Sequence, residues 1–193
     1  MPRFSEQGKE RIQQCLLDEG ERLFTTYGLK KVTIDDIVKA VKIAKASFYR
    51  FYEGKEYLFL DIAQRKQKEI FERLENVLKE SEAKTDRERV KMVFFVMSEL
   101  MGKYPILTNI DGETVEAIAR KVSVQRLAEY RAQGFDAVKT MEEHGIKFRY
   151  DTKVVSQVFH TLYQAWISLQ GQPVEMQKQV IDIMLDGIIE QIL

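Results

Sequence analysis

Cysteine is nearly absent from this chain of 193 residues: Cys15 stands alone, so no intramolecular disulfide and no cysteine-based zinc site can form. It lies on a helical stripe with Ile12 and Leu16 and is expected as a small core side chain. Proline occurs three times and glycine ten times, too rarely for a collagen-like or disordered chain or for an all-β chain broken by many turns. No run of about 18 uncharged apolar residues exists, and residues 1–9 hold no apolar h-region. Neither a membrane span nor a secretory signal is therefore expected, and the chain reads as cytoplasmic. Charge of one sign is missing too, since 30 Lys and Arg face 30 Asp and Glu. His144 and His160 are the only histidines; they fall on different expected helices and outside any H-E-x-x-H pattern. His144 in Glu142-Glu143-His144-Gly145 reads as a helix C-terminal residue facing the dipole. His160, beside Phe159 and near Tyr163, reads as a core histidine first and a pocket residue second. There is no G-x-G-x-x-G, no Walker loop and no G-x-S-x-G. No catalytic residue, metal ligand or cofactor is assigned, and the chain is not expected to be an enzyme.

What is present is apolar periodicity of helical spacing in a composition 45% hydrophobic, enough for a sizeable core. Ile12, Leu16, Leu23 and Tyr27 mark one face of a first helix that runs from about residue 5 to Gly28. Thr33 and Asp36 form a capping box, so a second helix starts at Ile34 and runs to about Val41. Residues 42–44 are then a turn into a third helix, 45–51, which Glu53-Gly54 ends. A long helix from Lys55 to about Lys79 follows, with Leu58, Ile62, Ile70, Leu74, Val77 and Leu78 on its apolar face. Further helices are expected at about 86–102, 112–121, 124–145, 152–170 and 174–192, with breaks at Pro105, Ser123, Gly145 and 171–173. Strand-like alternation is missing, so the fold class is all-α.

Residues 33–55 form a unit. Two short helices hold Ile34, Ile37, Val38, Val41, Phe48 and Phe51 inward and have too little apolar surface to stand alone. Their other face carries Lys45, Ser47, Tyr49 and Arg50, flanked by Lys42 and Lys55. This is the shape of a helix-turn-helix, whose second helix enters the DNA major groove by its N-terminal residues. Residues 30–55 hold seven basic against three acidic side chains, so a charge of +4 is concentrated where the motif lies although the chain as a whole is neutral.

Residues of about 10–60 resemble the DNA-binding domain of the TetR family of bacterial transcriptional regulators. The resemblance rests on Phe24-Thr25-Thr26-Tyr27-Gly28, on Thr33, Ile37 and Ala40, and on Lys45-Ala46-Ser47-Phe48-Tyr49-Arg50-Phe51-Tyr52 followed by Gly54-Lys55-Glu56 and Leu58. The family pattern there is a small residue, Ser or Thr, an apolar residue, Tyr, any residue, two aromatics and an Asn/Ser/Gly-Lys-Glu run. The resemblance implies that Thr33 and Tyr49 bond phosphates on either side of the groove and that Lys55 adds a phosphate contact at a helix N-terminus. It implies that Lys45, Ala46, Ser47 and Arg50 face base edges. The chain departs from the pattern at Lys42, where the family has Gly, at Ala44, where it has a Ser-like cap, and at Asp35, where a basic or neutral residue would face DNA. Lys42 must adopt a left-handed conformation at a cost of about 1 kcal/mol or reshape the turn.

The resemblance implies a three-helix helix-turn-helix DNA-binding domain over 1–54 and a larger helical effector-binding and dimerisation domain over 55–193, joined by the helix of about 55–79. The last two helices carry more apolar residues than a terminal hairpin can hide, which points to a homodimer built from two copies of the pair. Double-stranded DNA, read as a pseudo-palindromic operator, and a small apolar or aromatic effector are the other expected partners. Phe94, Met97, Met101, Tyr104, Phe135, Phe159, Tyr163 and Trp166 are the candidate effector-binding side chains. The other reading of the residues is a helical ligand-binding or protein-interaction module whose helix-turn-helix, eroded at Asp35, Lys42 and Ala44, no longer binds DNA.

Overall fold

The structure, a computed structural model, describes residues 6–108, 110–132 and 136–193, and among them every regular element is an α-helix. They are α1 (Glu6–Lys31), α2 (Ile34–Val41), α3 (Lys45–Phe48), α4 (Lys55–Glu80), α5 (Asp86–Lys103), α6 (Pro105–Thr108), α7 (Gly112–Lys121), α8 (Val124–Ala132), α9 (Ala137–Glu143), α10 (Thr152–Ser168) and α11 (Val174–Ile192). The described residues form two compact units, 6–67 with 104–132 and 68–103 with 136–193. Helix α4 contributes to both.

In the first unit the buried side chains Leu16, Leu23, Phe24, Leu29, Val32, Ile37, Phe48, Leu58, Phe59, Ile62 and Ile106 form one core. Helix α1 loses helical backbone at Gly28 (φ 79, ψ 155), as expected of a glycine stop, and a further short stretch reaches Lys31. Gly20 is required by a close approach: a Cβ there would meet Ile62 Cδ1 and Leu58 Cδ2 at 3.0 Å. Cys15 is exposed, contrary to expectation, because the buried face of α1 is set by Leu16, Gly20, Leu23 and Phe24, and a one-residue step turns Cys15 away from it. Tyr27 is likewise exposed rather than part of the apolar face.

The capping box forms: the Asp36 amide donates to Thr33 Oγ1 at 3.2 Å, and the Thr33 amide donates to Asp36 Oδ2 at 2.9 Å. The Thr33 hydroxyl beside Asp36 holds its carboxyl below the usual range, so the ionised cap persists at neutral pH. Lys42 takes the left-handed conformation (φ 59, ψ 44), the single non-glycine residue with positive φ among those described, and its amide bonds back to Lys39 and Val38. Ala44 starts α3 without a side-chain cap. Helix α3 is shorter than the expected 45–51: after Phe48 the amides of Arg50 and Phe51 bond three residues back, which tightens the chain into turns. Helix α6 was not expected, since Pro105 was read as a break; proline is favoured as the first residue of a helix, and it opens α6. The expected single helix over 124–145 is two, α8 and α9, because Asp136 starts α9 by accepting from the amides of Val138 and Lys139.

The second unit packs α10 against α5, α9 and α11. Val90, Val93, Phe94, Val138, Met141, Val155, Leu162, Ile181, Leu185 and Ile189 are buried in it. Asp186 of α11 pairs with Lys91 at 2.7 Å and with Arg87 at 2.6 Å, and these α5 cations hold its carboxyl below the usual range. His144 caps the end of α9 and reaches Glu75 with Nε2 at 3.1 Å.

Replacing Lys42 with glycine removes the left-handed penalty of an L side chain, worth about 1 kcal/mol. Thermal denaturation is expected to show a higher midpoint for Lys42→Gly; an equal or lower midpoint contradicts the strain assigned to this turn.

Candidate functional site

Helices α2 and α3 present their side chains around one buried anchor. Phe48 has no exposed surface and packs edge-on against Tyr49 and tilted against Tyr52, with ring centroids 5.7 and 5.9 Å apart. With Phe48 fixed inward, helical geometry turns Lys45, Ala46, Tyr49 and Arg50 to solvent, and all four are exposed; Ser47 is half-buried. Tyr49 keeps 53% of its surface, so its hydroxyl is available at the edge of the face. These five residues of the expected set therefore share one surface.

Thr33, Lys45 and Lys55 of that set hold bonds within the protein. The Thr33 hydroxyl donates to Asp36 Oδ2 at 2.7 Å, so a phosphate bond from it would exchange an existing one. Lys45 Nζ pairs with Asp35 at 3.0 Å, and this hydrogen-bonded carboxylate raises the lysine pKa. Asp35, the acid that stands where a DNA-facing cation would be expected, thus neutralises the first residue of α3. Lys55 Nζ donates to the carbonyls of Leu29 at 2.7 Å, Lys30 at 3.2 Å and Val32 at 2.6 Å. All three ammonium protons are directed at the end of α1 and the link to α2, and burial lowers the pKa of this lysine. Sequence reasoning assigned Lys55 to phosphate; in the structure it fastens the start of α4 to the chain that leads into the motif.

A second feature lies wholly in the second unit. A cavity of about 320 Å³ opens between α5, α9 and α10. Of the candidate effector residues, Phe94, Met97, Met101, Phe159 and Tyr163 line it. Tyr104 does not: it is buried in the first unit with Lys66 Nζ 4.9 Å above its ring. Trp166 stacks on Tyr163 with centroids 5.6 Å apart but does not itself line the cavity. Phe135 lies outside the described residues. Sequence reasoning missed Ser98, Asp136 and Ser156, and His160, read first as a core residue, is exposed at the cavity. The signal was available: Phe94, Met97, Ser98 and Met101 on α5, and Ser156, Phe159, His160 and Tyr163 on α10, both follow the i, i+3, i+4, i+7 spacing of one helix face. A list of large apolar residues discarded the small polar ones on the same stripes.

Residues 16–62 match the family model described as "Bacterial regulatory proteins, tetR family". Over these residues the chain is similar to that family. Its fold is shared along most of its length with solved transcriptional regulators. A regulator of the TetR/AcrR family from Thermobifida fusca YX-ER1 superposes with a TM-score of 0.65 at 19% identity, covering 92% of this chain and 98% of that one. The transcriptional regulator FadR from Bacillus subtilis, in complex with stearoyl-CoA, gives 0.63 at 16% identity over 90% and 98%. The ketosteroid transcriptional regulator KstR2 of Mycobacterium tuberculosis gives 0.58 at 20% identity over 96% and 98%. These likenesses establish an all-α TetR fold. No curated protein matches the sequence.

The three carbonyls that Lys55 satisfies are without that donor in Lys55→Met, at a cost of about 1–3 kcal/mol. Chemical denaturation of Lys55→Met is expected to show that loss with an unchanged slope; full stability in the variant contradicts the fastening role.

Proposed function

We propose that the chain is a ligand-responsive, sequence-specific DNA-binding transcriptional regulator, acting as a homodimeric repressor that a small apolar or aromatic effector releases from a pseudo-palindromic operator. The observation that carries this reading is the exposed face of Lys45, Ala46, Tyr49 and Arg50 around the buried Phe48 anchor, within a TetR-family segment. Tyr49 and Thr33 bond phosphates and set the register, while Lys45, Ala46, Ser47 and Arg50 meet base edges. Residues 1–54 are the DNA-binding part and 55–193 the effector and dimerisation part of this reading, a division by role rather than by packing.

The dimer reading is supported by apolar side chains that α10 and α11 leave in solvent. Val154, Ile183 and Met184 retain 50%, 74% and 38% of their surface, and with Val158 and Ile188 they line a shallow groove along the helix pair. A terminal hairpin that buries Val155, Leu162, Ile181 and Leu185 inward and still shows these outward fits a second copy of itself. Two recognition helices related by a two-fold axis then meet two half-sites about one helical turn of DNA apart. Effector binding in the second-unit cavity shifts the population away from the spacing that DNA requires, and α4, which contributes to both units, carries the change.

Removing the carboxylate that holds Lys45 tests the surface directly. Asp35→Asn is expected to raise affinity for random-sequence duplex in fluorescence anisotropy, and to steepen the logarithmic salt dependence by about one as Lys45 gains a phosphate. Unchanged affinity and slope contradict the assignment of this face to DNA. For the dimer, sedimentation equilibrium is expected to give twice the monomer mass for the native chain and the monomer mass for Ile183→Glu. A native monomer, or a variant that stays dimeric, refutes the α10–α11 interface.

A further inference from the structure

The effector cavity contains one polar group that the protein leaves unsatisfied. Ser98, on α5, is 2% exposed, lines the cavity wall, and its Oγ has no hydrogen-bond partner. A buried hydroxyl without a partner costs free energy that a ligand group can recover. Its neighbours on the same face are Phe94, Met97 and Met101, so the hydroxyl stands as a single polar point in an apolar wall. Charge is the second observation. The lining includes neither Lys nor Arg among the described residues; its carboxylate is Asp136, and His160, the one lining side chain that can become cationic, is exposed to solvent. That carboxylate already accepts from the amides of Val138 and Lys139 and from Ser156 Oγ at 3.1 Å. An anionic ligand group beside Ser98 would lose its hydration, find no Lys or Arg, and face the fixed negative charge of Asp136, with the solvent-exposed His160 as the one side chain able to oppose it. Size is the third, since about 320 Å³ lies at the lower end of ligand pockets.

We propose that this cavity selects a compact, uncharged, largely apolar molecule carrying one hydrogen-bonding group, and that Ser98 is the residue that reads that group. This rests on the effector reading above and narrows it, since it excludes carboxylate and phosphate anions as the part of the ligand held in the cavity. Tyr163 can give a second hydrogen bond from the opposite wall: burial raises its pKa, so the phenol stays protonated and remains a donor at neutral pH.

Trp166, the only tryptophan, stacks on Tyr163 and reports on the cavity by its fluorescence. The full chain is titrated with phenethyl alcohol, ethylbenzene and phenylacetate, three probes with the same ring and chain length that differ in their polar end. Phenethyl alcohol is expected to bind about fivefold more tightly than ethylbenzene, the worth of one net hydrogen bond, and phenylacetate to bind weakest. Ser98→Ala is expected to abolish the alcohol's advantage while binding ethylbenzene at least as well as the native chain, which also shows that the variant is folded around an intact cavity. Phenylacetate binding as tightly as the alcohol, an alcohol advantage that survives Ser98→Ala, or no binding of any of the three overturns the proposal. The same titration on protein bound to a duplex separates the two claims: alcohol that enters the cavity through Ser98 without loosening DNA leaves the selectivity standing and removes the effector reading.

Discussion

A helix of four residues such as α3 has no stability of its own, because the hydrogen bonds within it are too few to offset the ordering of its backbone. The proposed DNA-reading face depends on how α3 is held. Phe48, with no exposed surface, anchors it from below, and Ile37 and Val38 fix α2 to the same core. The Thr33–Asp36 capping box starts α2 and the left-handed Lys42 ends it, which sets where α3 begins. Lys55 completes the clamp with three bonds to the carbonyls at 29, 30 and 32. The exposed face of α3 is the consequence of this clamping, since burying Phe48 leaves Lys45, Ala46, Tyr49 and Arg50 on the outer side.

The departures from the family pattern gain a physical meaning in this frame. Lys42 and Ala44 give up the left-handed glycine and the capping hydroxyl, yet the turn closes, because the Lys42 amide bonds back to Val38 and Lys39 and the Ile43 amide bonds to Val38. Asp35 does not disturb the fold either. It forms an ion pair with Lys45, so under the proposed reading a phosphate would have to take Lys45 from this partner. At all three positions the helix-turn-helix backbone is kept.

Much of this was legible in the sequence, and the reasons are local. The capping box, the Gly28 stop and the starts of α2, α4, α7, α10 and α11 follow from residue types that impose a backbone conformation by themselves. Cys15 and Tyr27 were misplaced because apolar residues recur around α1 more widely than its buried face, and only the partner helices decide which of them are covered. The break before α9 depended on the Asp136 cap, which competes with a continuous apolar period. At the candidate sites Lys45, Ala46, Ser47, Tyr49 and Arg50 are neighbours in sequence, so helical spacing together with the family resemblance was enough to group them. The role of Lys55 was not legible, since it depends on carbonyls more than twenty residues away. The cavity was half legible for a related reason: Phe94, Met97, Met101, Phe159 and Tyr163 announced themselves by size, whereas Ser98 and Asp136 matter only because three helices bring them to one space.

The central claim is that the face built on Phe48 reads DNA sequence. Selection of genomic fragments by the purified chain at moderate salt, followed by sequencing of what is retained, tests it most directly. The account predicts a short inverted repeat whose half-sites lie about one helical turn apart, as two recognition helices related by a two-fold axis require. Fragments that share no sequence, retained only through weak salt-sensitive binding, would contradict it.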